Sequence, residues 1–388
     1  MKIGIEGTPL FSFSGNLNGI GQYAKRLLEA TQRSDKNIHF EIVKQWLFFR
    51  KFTPPIKPGG HLSYRVVKWL PPILYYQFYK RVGWAPPFDL VALRKYDAFV
   101  YFNYVALPLT KKTPYVLFVY DLSYIRYPQY TSPKNRQNLD KFLPGSVRRA
   151  THIVTISEYS KSEIINHFKL PEGKISIVSP AVDQKVFYPR KLAEIAKVKK
   201  NYGVKKPYIL SLCTLEPRKN LVGVLDAYEK LPEKIKQSYI LVLAGGKGWL
   251  DDELEKKVGE LSAKYEVIKT GYVPDEDLPA LYSGASVFVF PSFYEGFGIP
   301  PLEAMACGTP VITSDNTSLP EVVGSAGIMI KAEDTAAITK AMERVLSDKK
   351  LAEGLRQKGL VQAAKFSWDK SAEDLMTVFS KLVPQKNT

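Results

Sequence analysis

Cysteine is nearly absent from this chain, with only Cys213 and Cys307 in 388 residues. Two thiols make no disulfide framework, which fits a reducing compartment. The four histidines (His39, His61, His152 and His167) have no metal-ligand spacing, so no metal site is expected. No apolar run approaches the ~18 residues that a membrane helix needs. The first residues, Met1 to Gly7, read as a buried strand and lack the long apolar stretch of a signal peptide. No internal repeat is visible. Acidic residues are also short: 38 Asp and Glu stand against 55 Lys and Arg, a formal net charge of +17. What is present is ordinary for a folded protein, 45% hydrophobic and 24% charged residues. Disorder, collagen-like repeats and a disulfide scaffold are therefore excluded. At roughly 100–200 residues per domain, the length allows two or three domains with sizeable cores.

The missing acidic residues are missing from one half. Residues 1–190 hold 28 Lys and Arg against 12 Asp and Glu, a net of +16, whereas residues 191–388 hold 27 against 26. A basic half beside a neutral half suggests two tasks, one of them facing an anionic partner. Nucleic acid, an anionic membrane and a phosphorylated acceptor all qualify, as does plain solubility.

Short apolar runs alternate with helical patterns through both halves. The first half offers strands at 2–6, 98–103, 115–119, 152–156 and 175–178. The second offers 208–213, 239–244, 287–291, 310–313 and 327–330. Continuous apolar strands separated by helices mark parallel sheets covered on both faces. The expected class is α/β, two doubly wound Rossmann-like domains. The domains expected are 1–187, completed by 368–388, and 188–367, with a Lys-rich boundary segment from Lys191 to Lys206. The last helix is expected from an N-cap at Ser367, with Ala372, Leu375, Met376, Phe379, Leu382 and Val383 as its apolar stripe. Residues 54–88, rich in proline, aromatics and basic side chains, are expected to be irregular.

The most informative stretch runs from Phe288 to Pro310. An apolar strand ends at Pro291; a loop with Gly296 and Gly298 follows; Pro300 and Pro301 suit a helix start, and Gly308 its end. Glu295 falls in the loop and Glu303 is expected in the first helical turn, at the carboxyl end of a parallel strand. Open amides at a helix start attract phosphate, and a carboxylate there also suits the helix dipole with no ligand at all. The run resembles the glutamate-x7-glutamate signature of family-4 retaining glycosyltransferases, enzymes of the two-Rossmann GT-B architecture. Further segments agree in order and spacing over nearly the whole chain. The resemblance implies two domains facing a cleft, with the C-terminal helix crossing back to the N-terminal domain. It also implies that Glu295 contacts the hydroxyls of a donor sugar, that Glu303 binds the nucleotide ribose, and that Phe297, Gly298, Ile299 and Pro300 line the sugar and phosphate site.

Glu216, Pro217, Arg218, Lys219 and Asn220 follow the first strand of the second half and resemble the family's Pro-Arg-Lys-Asn turn. Breaking a sugar–phosphate bond builds negative charge on the leaving nucleotide, and a fixed cation pair stabilises it. An exposed basic turn at a helix start would oppose the dipole, which favours the functional reading. Many relatives carry an arginine near Cys213; this chain has none, so Arg218 and Lys219 take that work. Gly245 and Gly246, in the turn Ala244 to Trp249 that includes Lys247, allow close approach of backbone to a ligand, a weak signal alone. Tyr272 and Val273 match the segment that holds the nucleobase.

In the first half, Gly19 and Gly21 belong to a Gly-rich loop that, by resemblance, opposes the donor phosphates; a tight strand–helix connection would use glycine equally. Tyr120, Asp121 and Leu122 stand where relatives commonly have His-Asp-Leu, with Tyr124 two residues further on as an acceptor candidate. A phenol with an ordinary pKa near ~10 is a poor base, which leaves Asp121 to orient the acceptor hydroxyl. Ser157 is an acceptor candidate or simply a helix N-cap. The segment carrying Tyr64, Arg65, Lys68, Trp69, Tyr75 and Tyr76, then Phe78, Tyr79, Lys80, Arg81, Trp84 and Phe88, suits a membrane interface, acceptor sugars or local packing. It also suits single-stranded nucleic acid, but no nucleic-acid module surrounds it.

The resemblance thus implies a metal-independent retaining hexosyltransferase with no cofactor beyond its nucleotide-sugar co-substrate. GDP-mannose is the expected donor, because the Glu-Gly-Phe-Gly-Ile-Pro and Pro-Arg-Lys-Asn runs look most like bacterial polysaccharide mannosyltransferases; a UDP-sugar is the alternative. The acceptor is a saccharide or a lipid-linked saccharide in cell-envelope glycan synthesis. The expected place is cytoplasmic, peripheral on an anionic inner membrane face, with no nucleic acid. A noncatalytic carbohydrate or anionic-polymer binder on the same scaffold, and a GT-B epimerase or phosphorylase, remain open at this point.

Overall fold

The structure, a computed structural model, describes residues 1–388 except 12–16, 34–36, 46–52, 69–74, 76–77, 80, 83, 111–112, 247, 249–251 and 383–388. Trp69, Tyr76, Lys80, Lys247, Trp249 and Val383 therefore lie outside the described residues. The chain divides into two units, Met1–Pro180 with Trp368–Thr388, and Ala181–Ser367.

The first unit holds a seven-stranded sheet: β1 (Lys2–Glu6), β2 (His39–Gln45), β3 (Leu62–Val67), β4 (Ala98–Tyr101), β5 (Tyr115–Phe118), β6 (His152–Thr155) and β7 (Ile175–Ile177). Its order is β3-β2-β1-β4-β5-β6-β7, with every pair parallel. The second unit repeats the plan with β8 (Tyr208–Leu212), β9 (Ile240–Ala244), β10 (Val267–Gly271), β11 (Val287–Phe290), β12 (Val311–Ser314) and β13 (Gly327–Ile330). Its order is β10-β9-β8-β11-β12-β13, again all parallel. Central strands such as β4, β5, β9 and β11 are buried throughout. Helices on both faces make that burial possible and explain why these strands read as unbroken apolar runs.

Two strands correct the sequence reading of the first half. Residues 54–88 are not irregular throughout, because β3 forms the edge of the sheet, paired to β2 from Phe40–Leu62 to Gln45–Val67. As an edge strand it exposes part of each residue from Ser63 to Val66, which hides its pattern. β2 carries Glu41, Lys44 and Gln45, all buried. Glu41 is matched by Lys2 Nζ at 3.0 Å and by the Tyr96 hydroxyl at 2.6 Å, so a charged residue persists inside the sheet. Within 54–88, Tyr75, Tyr79 and Phe88 pack into the core, with Tyr79 and Phe142 rings 5.0 Å apart. Phe78, Val82 and Trp84 are exposed.

The last helix, Trp368–Leu382, belongs to the first unit. Its stripe of Ala372, Leu375, Met376 and Phe379 is buried, Trp368 lies 5.8 Å from Tyr23, and Phe379 lies 5.6 Å from Phe40. The Ser371 hydroxyl donates to the Ser179 carbonyl at 2.6 Å. In the second unit the Lys-rich segment after Arg190 folds as the helix Leu192–Asn201, whose Glu194 carboxylate accepts from the Lys191 N–H at 3.2 Å.

Candidate functional site

Both sheets reverse their order of succession at one central pair, β1/β4 in the first unit and β8/β11 in the second. Loops leaving the carboxyl ends of such a pair diverge, and the gap between them is where open α/β sheets take ligands.

In the second unit the loop after β8 carries Glu216, Arg218 and Lys219, and the loop after β11 carries Glu295. Lys219 Nζ lies 2.6 Å from Glu295 Oε1 and Arg218 Nη1 lies 3.3 Å from Glu295 Oε2. The other arm of Arg218 reaches Glu216 Oε1 at 2.6 Å, and Nη1 also donates to the Tyr294 carbonyl. Glu295 is buried. Burial alone would raise its pKa; Lys219 and then Arg218 overcome that and hold the carboxyl down at about 2. Lys219 Nζ also sits 5.2 Å from the centroid of the buried Phe290 ring. Two cations and two carboxylates are thus locked together between the two loops.

The chain fixes this arrangement by local means. Pro217–Lys219 make a single 3-10 turn, and Asn220, at φ +55°, accepts through its side chain from Gly223 N to start the helix Leu221–Glu229. The cations therefore precede that helix and do not lie inside its first turn. The Arg218 carbonyl accepts from Phe293 N at 2.9 Å and from the Ser292 hydroxyl at 3.1 Å, tying the two loops by their backbones. Ser314, the last residue of β12, donates to the Ser292 carbonyl; in the loop beyond it, Ser318 donates to the carbonyls of Glu295 and Phe297, and Thr317 Oγ1 accepts from Glu295 N. The sequence reading missed this supporting loop. Its signal was the density of short hydroxyl and amide side chains from Ser314 to Ser318, directly after an apolar strand.

The loop ends at Gly298, whose φ of +112° excludes other residues without strain; a Cβ there would lie 2.7 Å from Leu319 Cδ2. The helix that follows is Ile299–Ala306, ending in Cys307 with Gly308 beyond it at φ +73°. Glu303 is its fifth residue, not part of its first turn, so the dipole does not explain it. Pro300 and Pro301 have no N–H, so the helix start also offers fewer amides to an anion than the sequence reading assumed. Glu303 Oε2 instead accepts from the Tyr282 hydroxyl at 3.0 Å. Burial first, and then Glu303, push the Tyr282 phenol well above its ordinary pKa, so it remains a donor.

Of the remaining donor candidates, Gly245 has φ +135°, and a Cβ there would lie 1.8 Å from the Cys213 carbonyl oxygen. Close contact between the ends of β8 and β9 demands that glycine with or without a ligand. Gly246 borders open space and its carbonyl accepts from Leu215 N. Tyr272 is exposed and Val273 buried. Phe297 is buried with its ring 5.6 Å from that of Phe366, while Ile299 and Pro300 are half-buried. Gly19 and Gly21 open the first unit's helix Gly19–Thr31, where Asn18 Oδ1 accepts from Gly21 N at 2.9 Å.

The first unit has a cavity of about 830 Å³ at the carboxyl ends of β1, β4 and β5. Asp121 and Tyr124 line it, together with Glu6, Asn103 and Tyr104. Asp121 Oδ1 accepts from the Tyr104 hydroxyl at 3.3 Å and from Ser123 N at 3.0 Å. Two acceptor candidates do not join them. The Tyr120 hydroxyl is buried and donates to the Phe102 carbonyl at 2.9 Å; burial raises its pKa far beyond the range of a base. Ser157 is 1% exposed and serves as the N-cap of the helix Glu158–Phe168, accepting from Ser160 N at 3.1 Å. Capping accounts for it, and its hydroxyl is not presented to a ligand.

Among the described residues no three His, Cys, Asp or Glu side chains are grouped as a metal would need, and no helix is long and apolar enough to cross a membrane.

Comparison with known proteins covers both units. Residues 17–186 match the family model described as Glycosyltransferase Family 4, and residues 193–362 match Glycosyl transferases group 1. The O-antigen chain mannosyltransferase B of Escherichia coli is 40% identical over 295 residues, spanning 75% of this chain and 76% of that protein. A GDP-mannose-dependent alpha-(1-6)-phosphatidylinositol monomannoside mannosyltransferase of Mycolicibacterium smegmatis is 30% identical over 206 residues, 50% of this chain and 53% of its own length. Among solved structures, sucrose-phosphate synthase from Thermosynechococcus elongatus superposes with a TM-score of 0.74 at 19% identity, covering 98% of each chain, which speaks to the fold.

Proposed function

The chain belongs to the glycosyltransferases that these two models describe, in the GT-B architecture, and on that premise we propose that it is a retaining mannosyltransferase. It moves mannose from GDP-mannose to a saccharide or lipid-linked saccharide of a cell-envelope glycan, without a metal. The observation that carries the reading is the interlock of Arg218, Lys219 and Glu295 between the loops after β8 and β11. The named activities of its relatives support the sugar and the donor.

In this reaction the bond between the sugar's C1 and the phosphate oxygen breaks, and its electron pair leaves with the diphosphate. Arg218 and Lys219 take up that charge, which grows as the bond opens. The acceptor hydroxyl oxygen bonds to C1 from the face the phosphate leaves, and its proton passes to the leaving phosphate oxygen. Glu295 accepts hydrogen bonds from hydroxyls of the donor sugar, a task suited to a carboxylate kept ionised at about 2. Glu303, already oriented by Tyr282, accepts from the ribose. Asp121 orients the acceptor hydroxyl. The cation pair does the work that a divalent metal does elsewhere, so no metal is required.

The basic first half takes this chain to an anionic membrane surface. Exposed Val82, Trp84, Leu90 and Leu93, interleaved with exposed Arg81, Arg94 and Lys95, support that placement.

The test is transfer itself. With GDP-mannose and an oligomannoside acceptor in EDTA, the account expects GDP release matched by acceptor extension and an α-linked product. No turnover of any nucleotide sugar would refute it; turnover of UDP-sugars alone would refute the donor.

A further inference from the structure

Resting on the transferase reading above, we infer that the cavity of the first unit receives a neutral saccharide, selected by Asn103, Asn135, Asn138 and Asp121 against sugars that carry phosphate or carboxylate.

The composition of the wall is the starting observation. Glu6, Asp121 and four asparagines (Asn18, Asn103, Asn135, Asn138) line the cavity, and among the described residues no Lys, Arg or His lines it. That is a local reversal, since residues 1–190 carry a net +16. The helix Pro133–Arg149 makes the reversal explicit. It bears five basic residues, Lys134, Arg136, Lys141, Arg148 and Arg149, yet lines the cavity with Asn135, Asn138, Leu139 and Phe142, which share one face at helical spacing. Two cations touch lining side chains without lining the cavity themselves. Lys44 lies 3.4 Å from Thr8 Oγ1 and 5.3 Å over Phe11, and Lys141 lies 5.1 Å over Phe142.

The functional groups fit hydroxyls. An amide both donates and accepts, and a carboxylate accepts twice per oxygen, which matches the mixed donors and acceptors of a sugar. Asp121 Oδ1 is engaged by Tyr104 and Ser123, and among the described residues nothing donates to Oδ2. The aromatic rings of Phe11, Tyr104 and Phe142 supply faces for the apolar C–H side of a pyranose. An anionic group placed here would meet the Glu6 and Asp121 carboxylates and, among the described lining residues, no cation to pair its charge. At about 830 Å³ the cavity lies within the size range of small-molecule sites.

The experiment uses the full chain and calorimetry with gluco-, galacto- and mannotrioses, each compared with the same triose bearing a terminal 6-phosphate or oxidised to a terminal uronate. The neutral form of at least one triose is expected to bind, and its anionic forms at least about tenfold more weakly, because like charges are brought together. Asn138→Ala weakens the neutral triose, and Asn138→Lys narrows or inverts the preference; circular dichroism of each variant reports folding. Anionic trioses binding the wild type as tightly as neutral ones, no triose binding at all, or an unchanged preference in folded Asn138→Lys would overturn the inference. A parallel titration with GDP and UDP separates the two readings. Bound GDP without charge discrimination between trioses sinks the cavity assignment alone. Charge discrimination with neither GDP nor UDP bound sinks the transferase reading and keeps the cavity.

Discussion

Between β1 and β4, at the switch point of the first sheet, the loops hold amides, aromatic rings and two carboxylates around a cavity. Between β8 and β11, at the matching point of the second, they hold Arg218 and Lys219 locked onto Glu216 and Glu295. The strand order around the two points is the same. Topology therefore fixes where each unit takes its ligand, while loop side chains fix what that ligand is. The distribution of charge is the instructive part. Among the described residues, the unit with a large basic excess lines its cavity without a cation, and the near-neutral half sets the cations Arg218 and Lys219 at its switch point.

The largest expected effect comes from removing one of those cations. Lys219→Ala should lower kcat by about 10²–10³-fold, the usual loss when one preorganised donor is taken from a developing anion. Steady-state release of GDP measures it. A change smaller than threefold would break the assignment of the charge cluster to bond cleavage.

A smaller effect is set by pH. Glu295 is held at about 2 in the folded chain, below the usual ~4.3 of a glutamate in an unfolded one. A carboxyl with a depressed folded pKa adds stability that is fully present above its unfolded value. That stability is lost as pH falls through the folded value, here from about 4.5 to about 2, and is of order 3 kcal/mol. Glu41, shifted in the same direction with Tyr96, Lys2 and Arg94 opposing its burial, titrates alongside it. The readout is therefore the difference between wild type and Glu295→Gln in calorimetric Tm. Glu295→Gln should melt lower at pH 7, because it leaves Lys219 without its carboxylate, and should lose less below pH 4.5. Parallel pH profiles would contradict the pairing.

The smallest effect concerns the first unit. Cosedimentation with anionic vesicles should fall steeply between low and high salt, since surface charges are screened beyond ~10 Å at 0.1 M. Salt-insensitive or absent binding would remove the membrane from the account.

Much of this was legible in the sequence. Apolar central strands announced both sheets because burial on two faces leaves no polar alternation to disguise them. Glu295, Arg218 and Lys219 were found as separate motifs; their contact was not visible, because it depends on β8 and β11 lying side by side across 76 residues of chain. β2 was missed because Glu41, Lys44 and Gln45 interrupt its apolar pattern, and partners remote in sequence, Lys2, Arg94 and Tyr96, make a buried Glu41 tolerable. Glu303 was placed a turn too early, since consecutive prolines mark a helix start without fixing its first residue. Asn135 and Asn138 gave no signal, because asparagines on a basic helix read as ordinary surface until the cavity shows which face they share.

The central claim, that the second unit's cation pair receives a nucleotide diphosphate, is tested most directly by titrating GDP into wild type and into Arg218→Ala/Lys219→Ala. The account predicts saturable binding to wild type and a loss of at least about a hundredfold in the double variant, roughly the worth of two charge-assisted contacts. Equal affinity of a folded double variant for GDP would contradict it.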